Sequence, residues 1–303
     1  MSTGSRYRVF TDEQWARIES SLPTNQGLRG LLFEEPRRVV EGIAYRYRTG
    51  IPWRDLPREQ FAPWQTVWKW HRRYAADGTW DRMLAQVLVE ADAAGMINWA
   101  VSVDATITRP HRHAANTTRP DQDTGAGANY KKQPLDKVEP PGHGIGRSRG
   151  GLTTKIHQVE GGRGRPPTPV ITGGQRNDGA VLDQVLSEIR VPRVGAGRPR
   201  ARPEAVIADR AYATGVIRTE LRRRRIRVVI PEKRDQIATR TRRGRRGGRP
   251  PAFDEEAYRG RNVVERYFAL TKQWRGLATR YHKLAITYRA AVTLCAILTW
   301  LRT

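Results

Sequence analysis

The sequence predicts an α/β protein in two parts: an all-helical region over residues 1–97, then a mixed-sheet domain over residues 98–303. Three observations carry this. Apolar residues recur three and four apart through the first 97 positions, with capping signals between the runs. From residue 99 the period shortens to that of strands, and three strand-like runs, a helix and then alternating strands and helices follow, the pattern of a mixed sheet with helices on its faces. A length of 303 residues is enough for two domains, each with its own core.

Four helices are expected in the first part. FTDEQWARIESSL has Thr11 as an N-cap and an apolar stripe at Trp15, Ile18 and Leu22. PRRVVEGIAYRYRTG opens with Pro36 in its first turn and closes at Gly50. After the turn IPWRDLP comes PWQTVWKWHRRYAADG, ending at Gly78, and then WDRMLAQVLVEADAAGM. The tight, proline-bearing connection between the second and third helices fits a helix-turn-helix-like DNA-binding unit. In it Trp64, Val67, Trp68 and Tyr74 face inward while Gln65, Lys69, Arg72 and Arg73 meet DNA. A small bundle with a solvated basic face has the same pattern.

In the second part WAVSVDAT reads as a strand ending in Asp104, and the Gly/Pro-rich stretch 109–151 as a long loop. TTKIHQVE and PTPVITGG are strands, and NDGAVLDQVLSEIR is a helix capped by Asn177 or Asp178. AVIADRAYA is a buried strand ending in Asp209, TGVIRTELRRRR a helix and IRVVIPEK a fifth strand. A basic linker, 234–252, leads to a helix over 254–276, and ITYRAAVTLCAILTWL closes the core.

Fifty-five Lys and Arg against 30 Asp and Glu, a net charge of +25, point to a polyanionic partner, with DNA the commonest. A membrane surface fits less well, since no apolar run reaches about 18 residues and no lipidation motif is present. The N-terminus MSTGSRYRVFTDEQ lacks an apolar signal core, which predicts a cytoplasmic, nucleoid-associated protein. The single cysteine, Cys295, excludes internal disulfides and Cys-cluster zinc sites and reads as a core residue. His111 and His113 have no cysteine nearby to complete a metal site and read as solvated or phosphate-contacting. The runs Arg222 to Arg225 and Arg240 to Arg249 suit sequence-independent contact with a DNA backbone.

The chemistry concentrates in the 254–276 helix. Tyr258, Arg261, Glu265 and Lys272 stand at relative positions 0, 3, 7 and 14 and share a stripe about 60° wide at about 100° per residue. Val263, Tyr267, Leu270 and Trp274 form an apolar stripe nearly opposite. Alone, the polar stripe fits a surface ion-pair ladder as well as a site. Asp104 and Asp209 at strand ends change the balance, because with Glu265 they make three carboxylates that would repel one another without a cation. Magnesium, a hard ion that prefers oxygen ligands, is the natural cation. Two such ions about 4 Å apart can activate a water or a 3′-hydroxyl for attack on a phosphodiester.

The pattern Tyr-x2-Arg-x3-Glu-x6-Lys at Tyr258, Arg261, Glu265 and Lys272 resembles the signature of DDE transposases of the insertion sequence 5 family, within the insertion sequence 4/5 group. VSVDAT, ADRAYA, and IGRSRGGLTTKIH with GGQRND resemble that family's strand segments, and RTGIPWRDLP with PWQTVWKWHRRY its N-terminal region. The resemblance spans about residues 11 to 300. It implies a ribonuclease-H-like catalytic domain whose metal-binding, catalytic triad is Asp104, Asp209 and Glu265. It further implies two Mg2+ ions, replaceable by Mn2+, and Tyr258, Arg261 and Lys272 on the element's terminal DNA. The implied activity is cleavage at terminal inverted repeats and joining of the 3′-hydroxyls to target DNA by at least a dimer. A metal-dependent nuclease or resolvase of the same fold, and a non-catalytic DNA-binding regulator, are the rival expectations.

Overall fold

The computed structural model describes residues 6–23, 35–115, 142–162 and 164–302. The helical region begins with α1 (Asp12–Ala16), where the Thr11 side chain and that of Gln14 cap each other's backbone, as expected. The predicted helix over 10–22 is shorter than its apolar stripe, ending in a 3₁₀ turn at Glu19–Ser21. α2 (Pro36–Thr49) opens on proline and closes on Gly50 at φ 77°. α3 (Trp64–Ala76) and α4 (Thr79–Ala93) complete the region.

One sheet follows. Its central strand, β1 (Ala100–Pro110), has 11 residues, so Asp104 lies inside it rather than at its end. The expected loop 109–151 is therefore corrected at both ends. It contains the end of β1, a turn of helix α5 (Arg112–Ala115) and β2 (Gly146–Ser148), while residues 116–141 lie outside the described ones. The composition of the stretch hid these pieces, because each is held by pairing to a distant strand. β3 (Gly151–Glu160) runs antiparallel to β1, and β2 and β4 (Pro169–Gly173) both pair on its other edge. α6 (Asp178–Ser187) then leads to β5 (Ala205–Ala208), parallel to β1. α7 (Gly215–Arg223) leads to β6 (Arg227–Val229), parallel to β5.

The basic stretch 234–252 is not a plain linker. It forms α8 (Arg234–Arg242) and a 3₁₀ turn, Gly244–Gly247; the Gln236 side chain accepts the Lys233 amide at 3.1 Å and so ties down the start of α8. The long helix expected over 254–276 is divided into α9 (Glu255–Arg259), α10 (Asn262–Gln273) and α11 (Arg275–Ala278). Gly260 is the physical reason for the first break. A weak helix former, it sits where the backbone bonds contract from i+4 to i+3, as in Arg261 N–H to Tyr258 O, 3.0 Å. After α11, β7 (Thr279–Arg280) pairs with the end of β1, and α12 (Ala285–Leu301) is buried on nearly all sides.

α12 packs on α2, α3, α4 and β4, so one apolar core runs from the helical region to the sheet. A Cβ on Gly50 would stand 2.7 Å from that of Arg275, and one on Gly276 2.9 Å from Tyr47 O, so glycine lets α2 and α11 touch. Beside them the buried Tyr47 hydroxyl bonds His71 Nε2 at 2.8 Å and His282 Nε2 at 2.7 Å, and burial pushes the His71 imidazole down to about 3. The pair is neutral at any physiological pH. Arg280, fully buried, bonds the carbonyls of His143, Gly144, His282 and Lys283 and so ties residues 143–144 to β7. Cys295 is buried in α12, as its sequence suggested.

Beneath α10 the sheet face is polar. Ser102 and Asp104 pair with Glu160 and Gln158, both fully buried. Neither Glu160 oxygen has a hydrogen-bond partner among the described residues, and burial raises this carboxyl well above its ordinary range. A carboxyl raised in the folded state contributes stability below its unfolded value and loses it as pH rises through the folded one. Glu160→Gln should therefore be more stable than the wild type by about 1 kcal/mol or more at pH 8, and the gap should close toward pH 4.5, as followed by urea unfolding.

Candidate active site

The site is set by where β1 and β5 part. Their last paired residues are Val103 and Ala208, so Asp104 and Asp209 stand one register step beyond, on neighbouring strands. Adjacent strands lie about 4.8 Å apart, which is close enough for two carboxylates to sense each other. The field of Asp209 accordingly raises Asp104, after burial as the larger cause and against the Ala105 amide and Arg261. Asp209 also shapes the backbone, since its Oδ1 accepts the Ala211 amide at 2.7 Å and caps the turn Arg210–Tyr212.

Glu265 lies in the first turn of α10, over the same face. Its connection to the aspartates runs through Arg261. The guanidinium donates from Nη1 to Asp104 Oδ2 at 2.9 Å and from Nη2 to Glu265 Oε1 at 2.5 Å. Burial opposes the charge on Arg261, but Asp104, Glu265 and Tyr258 outweigh it and hold the group firmly protonated. The expected apolar stripe is in place: Val263, Tyr267 and Trp274 are buried, with Leu270 packed at the edge of the core. Lys272 is exposed and forms no ion pair among the described residues. Tyr258 sits across the Gly260 break, half-buried against Phe253 with ring centroids 5.3 Å apart.

Oxygen donors alone suit a hard divalent cation, and the aspartate pair fits one. Yet among the described residues no three His, Cys, Asp or Glu gather closely enough to hold a metal. Arg261 bridges Asp104 and Glu265.

Tyr212, three residues past Asp209 in ADRAYA, is a site neighbour that the sequence reading did not single out. It is buried, its hydroxyl lacks a partner among the described residues, and burial followed by Asp178, Asp104 and Asp209 raises its phenol. Its neighbour Asp178 is not the helix cap, which is Asn177; instead Asp178 pairs with Lys155 at 2.8 Å. Gln65, Lys69, Arg72 and Arg73 are all exposed along α3, and Val67 and Tyr74 are buried behind them, while Trp64 and Trp68 are half-buried. At the far end of β1 His111 stacks on Tyr281, ring centroids 4.9 Å apart, and lies tilted against His113.

A second basic feature adjoins the aspartates. Gln236 of α8 donates to Ala213 O at 2.5 Å, tying the arginine-rich stretch to the loop that follows Asp209. Two adjoining clefts of about 710 and 510 Å3 open between this stretch and α7. Arg218, Arg222 and Arg249 line one, and Arg240, Arg243 and Arg249 the other. Residues 234–249 carry seven Arg against one Asp.

Two family models match the chain. A model described as "Transposase DDE domain" matches residues 98–300, and one described as "Putative transposase of IS4/5 family" matches residues 10–84. The chain is 35% identical over 109 residues to "Uncharacterized protein y4sN" of Sinorhizobium fredii, covering 36% of this chain and 82% of that protein. It is 34% identical over 107 residues to "Insertion element IS402 uncharacterized 16.2 kDa protein" of Burkholderia cepacia, covering 33% and 73%. It is 32% identical over 148 residues to "Putative transposase for insertion sequence element IS402" of the same organism, covering 48% and 63%. No solved structure matches the chain. No helix among the described residues is long and apolar enough to cross a membrane.

The cap made by Asp209 allows its two roles to be separated. Asn caps as well as Asp, so Asp209→Asn should unfold within about 0.5 kcal/mol of the wild type, whereas Asp209→Ala should lose about 1 kcal/mol, both read by urea titration.

Proposed function

Because the chain belongs to the DDE transposase family of insertion sequence 4/5 type, we propose that it cuts the ends of an insertion sequence and joins them to target DNA. The observation that carries this reading is the register step that sets Asp104 beside Asp209, with Arg261 bridging Asp104 to Glu265 of α10. The sheet supports a ribonuclease-H-like domain: β1, β3 and β4 pair antiparallel, with the short β2 beside β4 on the edge of β3, and two parallel strands reached through helices follow, giving β4-β3-β1-β5-β6 across the sheet.

In this reading Asp104, Asp209 and Glu265 would hold divalent ions, magnesium by preference and manganese in its place, which would supply an activated oxygen nucleophile and a counter-charge for the departing one. Water attacks the phosphodiester at the element end and the 3′-oxygen leaves as a hydroxyl. That hydroxyl then attacks a target phosphodiester and displaces the target's own 3′-oxygen, so no covalent protein intermediate forms. Arg261 and Lys272 grip phosphates of the terminal DNA. Tyr258, half-buried against Phe253, borders the same surface.

The helical region to residue 97 would recognise the terminal repeats as a helix-turn-helix-like unit, with Gln65, Lys69, Arg72 and Arg73 along the exposed side of α3. Two ends must be brought together before joining, so at least a dimer acts. The arginine-lined clefts beside Asp209 would carry the duplex backbone without reading its sequence.

Asp104→Asn, Asp209→Asn and Glu265→Gln should each lower magnesium-dependent end cleavage by at least about a thousandfold while leaving end binding intact; cleavage retained in any of them would remove that residue from the triad. Replacing Arg242, Arg243, Arg245 and Arg246 together by Ala should weaken binding to random-sequence duplex. The slope of log affinity against log salt should fall by up to roughly 3 to 4, while the preference for end sequence over random sequence is kept.

A further inference from the structure

The triad is tied up by a residue of its own helix. Arg261 is only 18% exposed, and its two terminal nitrogens are spent on Asp104 Oδ2 and Glu265 Oε1. One cation thus occupies the space between two of the three carboxylates, and these are oxygens that a divalent ion would need. Both ligands cannot hold the same carboxylates at full strength, because the positive charges would repel at contact distance.

We propose that Arg261 is a built-in counter-ion that competes with divalent metal for Asp104 and Glu265, and that a DNA phosphate relieves the competition by taking the guanidinium. The inference rests on the triad reading above and goes beyond it by coupling metal loading to DNA binding.

The geometry favours exchange from the Glu265 side. Asp104 is 23% exposed and Glu265 53%, so the outer end of the bridge faces solvent and the inner end does not. A phosphate offers the same planar fork of oxygens as a carboxylate, and arginine binds both in the same bidentate way. Lys272, seven residues along the same side of α10, stands about 10 Å from Glu265 and draws the backbone of the duplex across that opening. Moving the guanidinium outward onto phosphate needs only a change in the side chain, since Arg261 leaves the backbone in the turn between α9 and α10. The consequence is an order of events: without DNA the carboxylates are neutralised by an inert cation, and metal is taken up only once a duplex phosphate holds the guanidinium.

Coupling of this kind is reciprocal. Manganese ion is the probe, with its binding to the full-length protein followed by the loss of the free-ion paramagnetic signal, with and without a duplex carrying the element's terminal sequence. The wild type should bind Mn2+ weakly alone and about tenfold or more tightly with the duplex. Arg261→Ala should bind Mn2+ tightly without DNA and gain nothing on adding it, and Arg261→Lys should fall between. Thermal unfolding of each variant shows that it is folded when measured. If Arg261→Ala binds Mn2+ no more tightly than the wild type, while Asp209→Asn and Glu265→Gln still weaken wild-type binding, the triad stands and the competition is overturned. If none of Asp104→Asn, Asp209→Asn and Glu265→Gln changes Mn2+ binding in either background, the triad reading itself fails and the competition falls with it.

Discussion

The whole arrangement depends on a difference in length between two neighbouring strands. β1 runs from Ala100 to Pro110, while β5 stops at Ala208 after four residues. Up to Val103 the two are paired and buried, and beyond it β1 continues with its other edge still held by β3. That step opens a notch in an otherwise continuous sheet. Aspartate is tolerated there on both strands because each carboxylate finds a backbone amide, Ala105 for Asp104 and Ala211 for Asp209. One residue earlier, at Val103 or Ala208, a carboxylate would be buried without water or partner and would cost several kcal/mol.

Around the notch the fold arranges opposite charges at different depths. The arginine-rich stretch 234–249 lies beside the loop after Asp209, and the exposed cations of α3 and α10 lie on the outer surface. A net charge of +25 would make a compact chain repel itself if it were spread through the interior. Here the buried cations are few and each is enclosed by acceptors or rings. Arg280 is held by four carbonyls, and Arg46 lies against Tyr47, Trp53 and Tyr281. Exposed cations such as Lys69, Arg72 and Lys272 are left on the surface, where a polyanion can reach them.

Much of this was legible before any coordinates. Thr11, Pro36 and Gly50 mark helix ends because capping is a local matter, and the apolar stripe of α10 follows from its period alone. Asp209 is readable for the same reason, since β5, Ala205–Ala208, is apolar throughout and Asp209 follows it directly. Asp104 is equally visible, but the strand that carries it reads as too short. Residues 105–110 alternate in burial and hold their place only through pairing with β3 and β7, which no window of sequence can display. The helix in 234–252 was hidden by arginines and glycines that read as solvent-exposed linker. The break at Gly260 was hidden because a single glycine inside a long periodic pattern weakens a helix without always ending it. Tyr212 falls inside ADRAYA, but its part emerges only where the fields of three aspartates converge on it in space.

The least readable feature is the one with the most consequence. Arg261 and Glu265 are four apart on a helix, and from sequence that spacing means an ion pair of small worth or a pair of site residues, with nothing to choose between them. In the structure the pair is more than a local ladder. The same guanidinium that pairs with Glu265 reaches 157 residues back to Asp104, so a local ladder becomes a bridge across the notch. An exposed i, i+4 pair alone would be screened and nearly free to open. Anchored at its inner end to a carboxylate that is already losing to burial, the bridge is held more firmly and released only to a comparable anion. A chain with 25 surplus positive charges draws such an anion, the phosphate backbone of a duplex, to the mouth of the site. The charge that gathers the DNA and the charge that guards the carboxylates are thus parts of one electrostatic design, joined at a single side chain.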